Sequence, residues 1–193
     1  MKSFKIFEEI RKLRISLILI LLFFIGTLIN MDSTNMKNYF GLIPVRTYQP
    51  SYWYSIITFS FIHGLFGHFL RDTIFILLLG LSIEKMMSQK SIIISSVVSV
   101  FTGAFVLTTM SEGDLPLFGA NFLIYGYIGI LITMWFILKN KFNLYDKIIL
   151  ILSCVLIIFL FWNFSVLLNK AFLASITITI LLNRFYLNKE LVS

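Results

Sequence analysis

The chain has 193 residues and a net charge of +7, yet 59% of it is hydrophobic and only 13% charged, with a mean hydropathy of +0.93. Soluble chains average about 45–50% apolar and about 25% charged residues, and a soluble domain of this size has too little interior to hide the excess. The composition therefore excludes a soluble globular domain and points to lipid as the solvent. The positive residues are spread over short connections, which argues against nucleic-acid binding and for membrane orientation.

A spanning helix needs about 20 mostly apolar residues. In chain order, such runs cover residues 15–30, 53–83, 91–110, 119–138, 147–162 and 165–187, and the early part of the second reads as a loop or re-entrant piece. Backbone groups in hydrocarbon must pair within their own segment, so these runs predict helices and an all-α membrane protein with six transmembrane helices, a single domain over residues 1–193. Lys2, Lys5, Arg11, Lys12 and Arg14 precede the first run; no small-residue cleavage site follows it, so it reads as a retained anchor rather than a signal peptide. With the N-terminus in the cytoplasm, those five fall inside together with Lys85, Lys90, Lys139, Lys141, Lys147, Arg184 and Lys189. Only Lys37, Arg46 and Lys170 fall outside. That bias predicts a multi-pass protein of the cell membrane with both termini cytoplasmic.

The connection at residues 31–52 carries Tyr39, Phe40, Tyr48 and Tyr52, and Trp53 follows it. Such rings suit the water–lipid boundary, and Trp53 is taken as a candidate binding residue there. Cys154 stands alone in an apolar run, where no internal disulfide can form and a small buried hydrophobe is expected. The usage of Lys, Asn and Ile suggests a low-GC bacterial genome.

Ionisable groups at membrane depth are costly and mark candidate sites. The second run holds His63, His68, Arg71 and Asp72. His68 and Asp72 are four apart and share a helix face, and Arg71 is placed to neutralise Asp72. His63 and His68 are five apart, on different faces of a regular helix, so no metal site is expected. Gly119, Ala120, Asn121, Gly126 and Gly129 on the fourth run, and Ala171, Ala174, Ser175 and Thr179 on the sixth, permit close helix approach. Helices two, four and six are thus expected to form the tightly packed inner set.

Together these residues resemble the rhomboid family of intramembrane serine proteases. The stretch Gln49-Pro-Ser-Tyr-Trp-Tyr-Ser-Ile-Ile-Thr-Phe-Ser-Phe-Ile-His63-Gly is similar to the family's approach to its second helix. His63 and His68 match two positions of a His-x4-His-x3-Asn pattern, and Gly80 and Glu84 match the Gly and Glu that end that helix. Gly119-Ala-Asn-Phe-Leu-Ile-Tyr-Gly126-Tyr-Ile-Gly129 is similar to the Gly-x-Ser-Gly start of the fourth helix, and Ala171-Phe-Leu-Ala-Ser-Ile-Thr-Ile-Thr179 to the Ala-His start of the sixth. The resemblance implies a six-helix rhomboid-like bundle. It also implies roles: in active members the fourth-helix Ser is the nucleophile, the sixth-helix His its base, and the second-helix His and Asn hold the oxyanion.

Here those positions are Asn121, Phe172 and Asp72. An amide is no nucleophile at neutral pH, a phenyl ring takes no proton, and an ionised carboxylate repels an oxyanion. No catalytic residue is expected. The resemblance implies a pseudoprotease that binds a transmembrane partner or client helix near its second and fifth helices, through His68, Arg71, Asp72, Asn121 and Trp53, in contact with membrane lipid and without a small-molecule cofactor. Three alternatives remain: a divergent protease using Ser175 and His68, a proton- or ion-coupled transport component built on the Arg71–Asp72–His68 cluster, and a protein whose working surface is the loop Glu112-Gly-Asp114.

Overall fold

The computed structural model describes residues 14–31, 34–111, 113–163 and 166–192, and their side chains except at 31–36, 159–163 and 186–192. Lys2, Lys5, Arg11, Lys12 and Glu112 lie outside the described residues. Among the described residues six long helices make the bundle: α1 (Arg14–Met31), α2 (Phe66–Ile83), α3 (Gln89–Met110), α4 (Asn121–Leu138), α5 (Leu144–Asn163) and α6 (Val166–Val192). Four of them, α2, α3, α4 and α6, are long and apolar enough by themselves to cross a membrane, and α1 is apolar but shorter. Each coincides with one of the six expected runs.

The second run divides. Its first part forms short turns of helix at Pro50–Tyr52, Ser55–Thr58 and Phe59–Phe61. The chain then extends through Ile62 and Leu65 before α2 begins at Phe66. Together with Thr34–Phe40 and Pro44–Arg46, these turns make a structured connection between α1 and α2. Leu42 pairs with Leu117 through two backbone hydrogen bonds of 2.9 and 2.8 Å, and the Gly119 N–H donates to the Phe59 carbonyl at 3.0 Å. The connection therefore grips the approach to α4.

The interior differs from expectation in one respect. α4 is the central helix, with 72% of its spanning window buried against 39–44% for α2, α3 and α6. Its most extensive partner is α6, and α6 packs almost as extensively on α3. α3, rather than α2, completes the inner trio, because a serine face replaces apolar bulk there: Ser91, Ser95, Ser96 and Ser99 are all buried. Ser99 Oγ donates to the Phe122 carbonyl at 2.6 Å, Ser175 Oγ to the Ser99 carbonyl at 3.0 Å, and Ser95 Oγ to Asn183 Oδ1 at 3.0 Å. Small residues make the approach possible. A Cβ at Gly129 would collide with Thr179 Oγ1, and one at Gly126 with Ser99.

The opposite ends of α1, α2 and α5 are tied by carboxylates. Glu84 accepts from the Ile15 N–H at 2.9 Å, the Ser16 N–H at 2.7 Å and Ser16 Oγ, capping α1. Asn143 and Asp146 form a reciprocal capping box at the start of α5, with bonds of 2.9 and 3.0 Å. Lys85 pairs with Asp146, and Tyr145 Oη donates to the Leu78 carbonyl at 3.0 Å, so α2 holds the first turn of α5. Beyond that turn α5 exposes Ile148, Ile151, Leu152, Val155 and Ile158. Cys154 is exposed rather than buried, because it falls on this outward face of α5.

Candidate functional site

The extended break before α2 decides the site. His63 lies upstream of the helix and His68 within its first turn, so the two imidazoles are not splayed over one helix as their spacing suggested. They meet, with ring centroids 5.1 Å apart and nearly perpendicular. Both turn to Asp72, one turn further along α2. His63 Nε2 is 3.2 Å from Asp72 Oδ2 in hydrogen-bond geometry. His68 Nε2 is 3.3 Å from the same oxygen, but off the line of a hydrogen bond. Arg71 Nε donates to Asp72 Oδ1 at 2.8 Å, and Arg71 Nη2 donates to Asn121 Oδ1 at 3.1 Å. Finally the Ala120 N–H donates to Asp72 Oδ2 at 3.0 Å. His63 and Asp72 are fully buried, whereas Arg71 is exposed at its outer edge.

A buried carboxylate is tolerated only when charge and hydrogen bonds compensate it. Here α2 supplies the cation, the upstream segment the imidazole, and the residue preceding α4 the amide. Gly119 makes the last of these possible. Its φ of +113° turns the chain before α4, and a Cβ there would sit on the His68 ring.

The other half of the site is aromatic. Phe172 on α6 is buried and stacks on Tyr125 of α4 with centroids 4.2 Å apart and planes 17° apart, and Phe122 closes on it at 5.4 Å. Tyr125 Oη has no hydrogen-bond partner among the described residues. Between the two halves lies a cavity of about 240 Å³, lined on its polar side by His68, Arg71 and Asn121 and on its apolar side by Phe59, Phe122 and Phe172.

Five of the sequence-derived candidates, His63, His68, Arg71, Asp72 and Asn121, are thus joined, and Phe172 faces them across the cavity. Trp53 is not joined to them. It is exposed on the α1–α2 connection, where its Nε1 donates to the Thr47 carbonyl at 3.0 Å. The Ala120 amide and Tyr125 were missed. An amide carries no side-chain signal in sequence, but Tyr125 follows Asn121 by one helical turn and so shares its face. Among the described residues no hydroxyl or thiol is hydrogen-bonded to either imidazole, and no group of His, Cys, Asp or Glu has the arrangement to hold a metal ion. Ser175 is fully buried and its hydroxyl is spent on the Ser99 carbonyl.

A bundle of apolar helices around a buried polar cluster defines a multi-pass integral membrane protein. Residues 50–181, more than half of the chain, match the family model described as Rhomboid domain. The chain belongs to the rhomboid family. A search among curated proteins finds no match to it.

Proposed function

We propose that this rhomboid-family protein is a pseudoprotease that binds a transmembrane partner or client helix as an adaptor or assembly subunit. The observation that carries the reading is the pair facing the cavity: Asn121, engaged by Arg71, and Phe172, stacked on Tyr125. Acyl transfer asks for a hydroxyl and an imidazole at those two places. An amide oxygen and a phenyl ring offer neither attack nor proton transfer. Removing either member of such a pair costs on the order of a millionfold in rate.

The outward face of α5 supports the binding half of the proposal. Its bonds to α2 are at its first turn, and above it a row of large apolar side chains is left to lipid or to another helix. Membrane helices associate by close packing and by hydrogen bonds offered from polar groups, and Arg71 and Asn121 stand at the mouth of the cavity to offer them. On this reading the chain is one domain in the cell membrane with both termini in the cytoplasm.

Photo-crosslinking in native membranes tests the partner. A crosslinking residue at Ile151 or Val155 of α5 should capture one discrete membrane protein in stoichiometric amount, and one at Ile93 or Val97 on the lipid face of α3 should not. Equal capture from both faces, or none from α5, counts against the proposal. Incubation of the purified protein with generic transmembrane substrates tests the catalytic half. No cleavage is expected, and cleavage that Ser175→Ala or His68→Ala abolishes would establish the divergent protease instead.

A further inference from the structure

Asp72 is held by more than an ion pair requires. Arg71 is its neighbour in sequence and satisfies Oδ1 through Nε at 2.8 Å. The other oxygen, Oδ2, is met from two separate stretches of chain, by the Ala120 N–H at 3.0 Å and by His63 Nε2 at 3.2 Å, with His68 Nε2 3.3 Å away. A backbone amide and one imidazole donating to a single oxygen, with a second imidazole beside it, form a cradle for a negatively charged oxygen atom. The cradle is fully buried at Asp72 and His63. It is assembled from the segment before α2, from α2 itself and from the turn before α4, which the whole of α3 separates in sequence.

The proton inventory agrees. His63 Nδ1 has no hydrogen-bond partner among the described residues, while Nε2 points at the carboxylate. The proton of a neutral His63 therefore belongs on Nε2, where it donates. With Asp72 present, the carboxylate and Arg71 cancel. Without it, the buried His63 Nε2 and Ala120 N–H would have nothing to accept from them, and the partly exposed Arg71 would keep only Asn121 Oδ1, the costly condition of buried donors left unpaired.

We infer that Asp72 is the resident anion of a small carboxylate-binding pocket: its own side chain fills a site that, once vacated by substitution, takes a free monocarboxylate of formate or acetate size. The two oxygens of a planar carboxylate bridge Arg71 on one side and the Ala120–His63 pair on the other, a span that a spherical halide does not cover. In the intact protein the resident carboxylate staples α2 to the turn before α4 and keeps outside anions and carbonyl groups out. The inference stands on these distances and is independent of the partner-binding reading.

The test uses the purified full chain in detergent. Asp72→Ala should lower the thermal midpoint by roughly 6–12 °C. Sodium formate should restore at least half of that loss, and sodium chloride at equal ionic strength none of it. Asp72→Asn, whose amide still fills the pocket, should not respond to formate. A midpoint of Asp72→Ala that formate leaves unmoved overturns the inference. Should Asp72→Ala fail to fold, nitrogen-15 NMR of the unsubstituted protein decides, because the chain has only two histidines. A proton on His63 Nε2 is expected. A bare Nε2 with the proton on Nδ1 would overturn the assignment.

Discussion

The two ends of α2 handle the same problem differently. At one end Glu84 reaches the first turn of α1 and is satisfied by two backbone N–H groups and a serine hydroxyl, with no cation among the described residues paired to it. At the other, Asp72 reaches the turn before α4 and takes an amide too, but adds a guanidinium and imidazole. Glu84 is partly exposed and Asp72 fully buried. A carboxylate in partial contact with polar surroundings can be met by a helix N-terminus alone, whereas one sealed in the interior needs its charge cancelled nearby. The first arrangement anchors a helix. The second also gathers the groups that line the cavity.

The contrast is open to direct attack. Asp72→Ala should cost about 2–4 kcal/mol, because the buried His63 and Ala120 donors lose their acceptor, while Glu84→Ala should cost only about 1–2 kcal/mol, as a lost cap does. Equilibrium unfolding in mixed micelles measures both, and equal losses would erase the distinction between the ends. Reconstruction of chemistry comes next in size. A chain carrying Asn121→Ser and Phe172→His still turns a carboxylate towards any oxyanion, so adding Asp72→Asn, whose amide donates, should accelerate labelling by a fluorophosphonate about 100-fold or more, the worth of a restored oxyanion donor. Equal labelling with and without the third change would mean that Asp72 obstructs nothing.

The bundle core gives a smaller effect that should leave both ends of α2 alone. Gly129→Ala drives a methyl group into Thr179 and should cost about 1–3 kcal/mol, with the histidine NMR signals unchanged. Trp53→Ala should be the mildest, about 0.5–1.5 kcal/mol for one partly buried hydrogen bond to the Thr47 carbonyl. A crosslinking defect in Trp53→Ala at full stability would place that residue on the binding surface.

Much of this was legible beforehand, for identifiable reasons. A helix in lipid needs a long apolar run, and such runs are countable, so five of the six segments were found close to their limits and the second at its C-terminal end only. His68 and Asp72 at a spacing of four announced a shared face, and Arg71 beside Asp72 announced a partner. Ser91, Ser95, Ser96 and Ser99 carry the same kind of signal as the glycines of α4, and reading them as a packing face would have placed α3 in the inner trio. The meeting of His63 with Asp72 was not legible, because it depends on where α2 starts. Phe66 is no stronger a start signal than Trp53, and tertiary contacts of the α1–α2 connection with Leu117 and Gly119 decide the matter.

By itself the sequence determined the solvent, the helices and the side chains the family's reactive positions carry, since hydropathy, period and residue identity are local properties of a chain. Only the tertiary structure decided that an amide at Ala120, imidazoles from either side of a helix start and a guanidinium share one carboxylate, and that Phe172 lies flat on Tyr125. The contacts of Ala120 with Asp72 and of Phe172 with Tyr125 join residues nearly fifty positions apart. Their existence rests on the backbone turn at Gly119 and on how closely α3, α4 and α6 approach, quantities that no single stretch of residues contains.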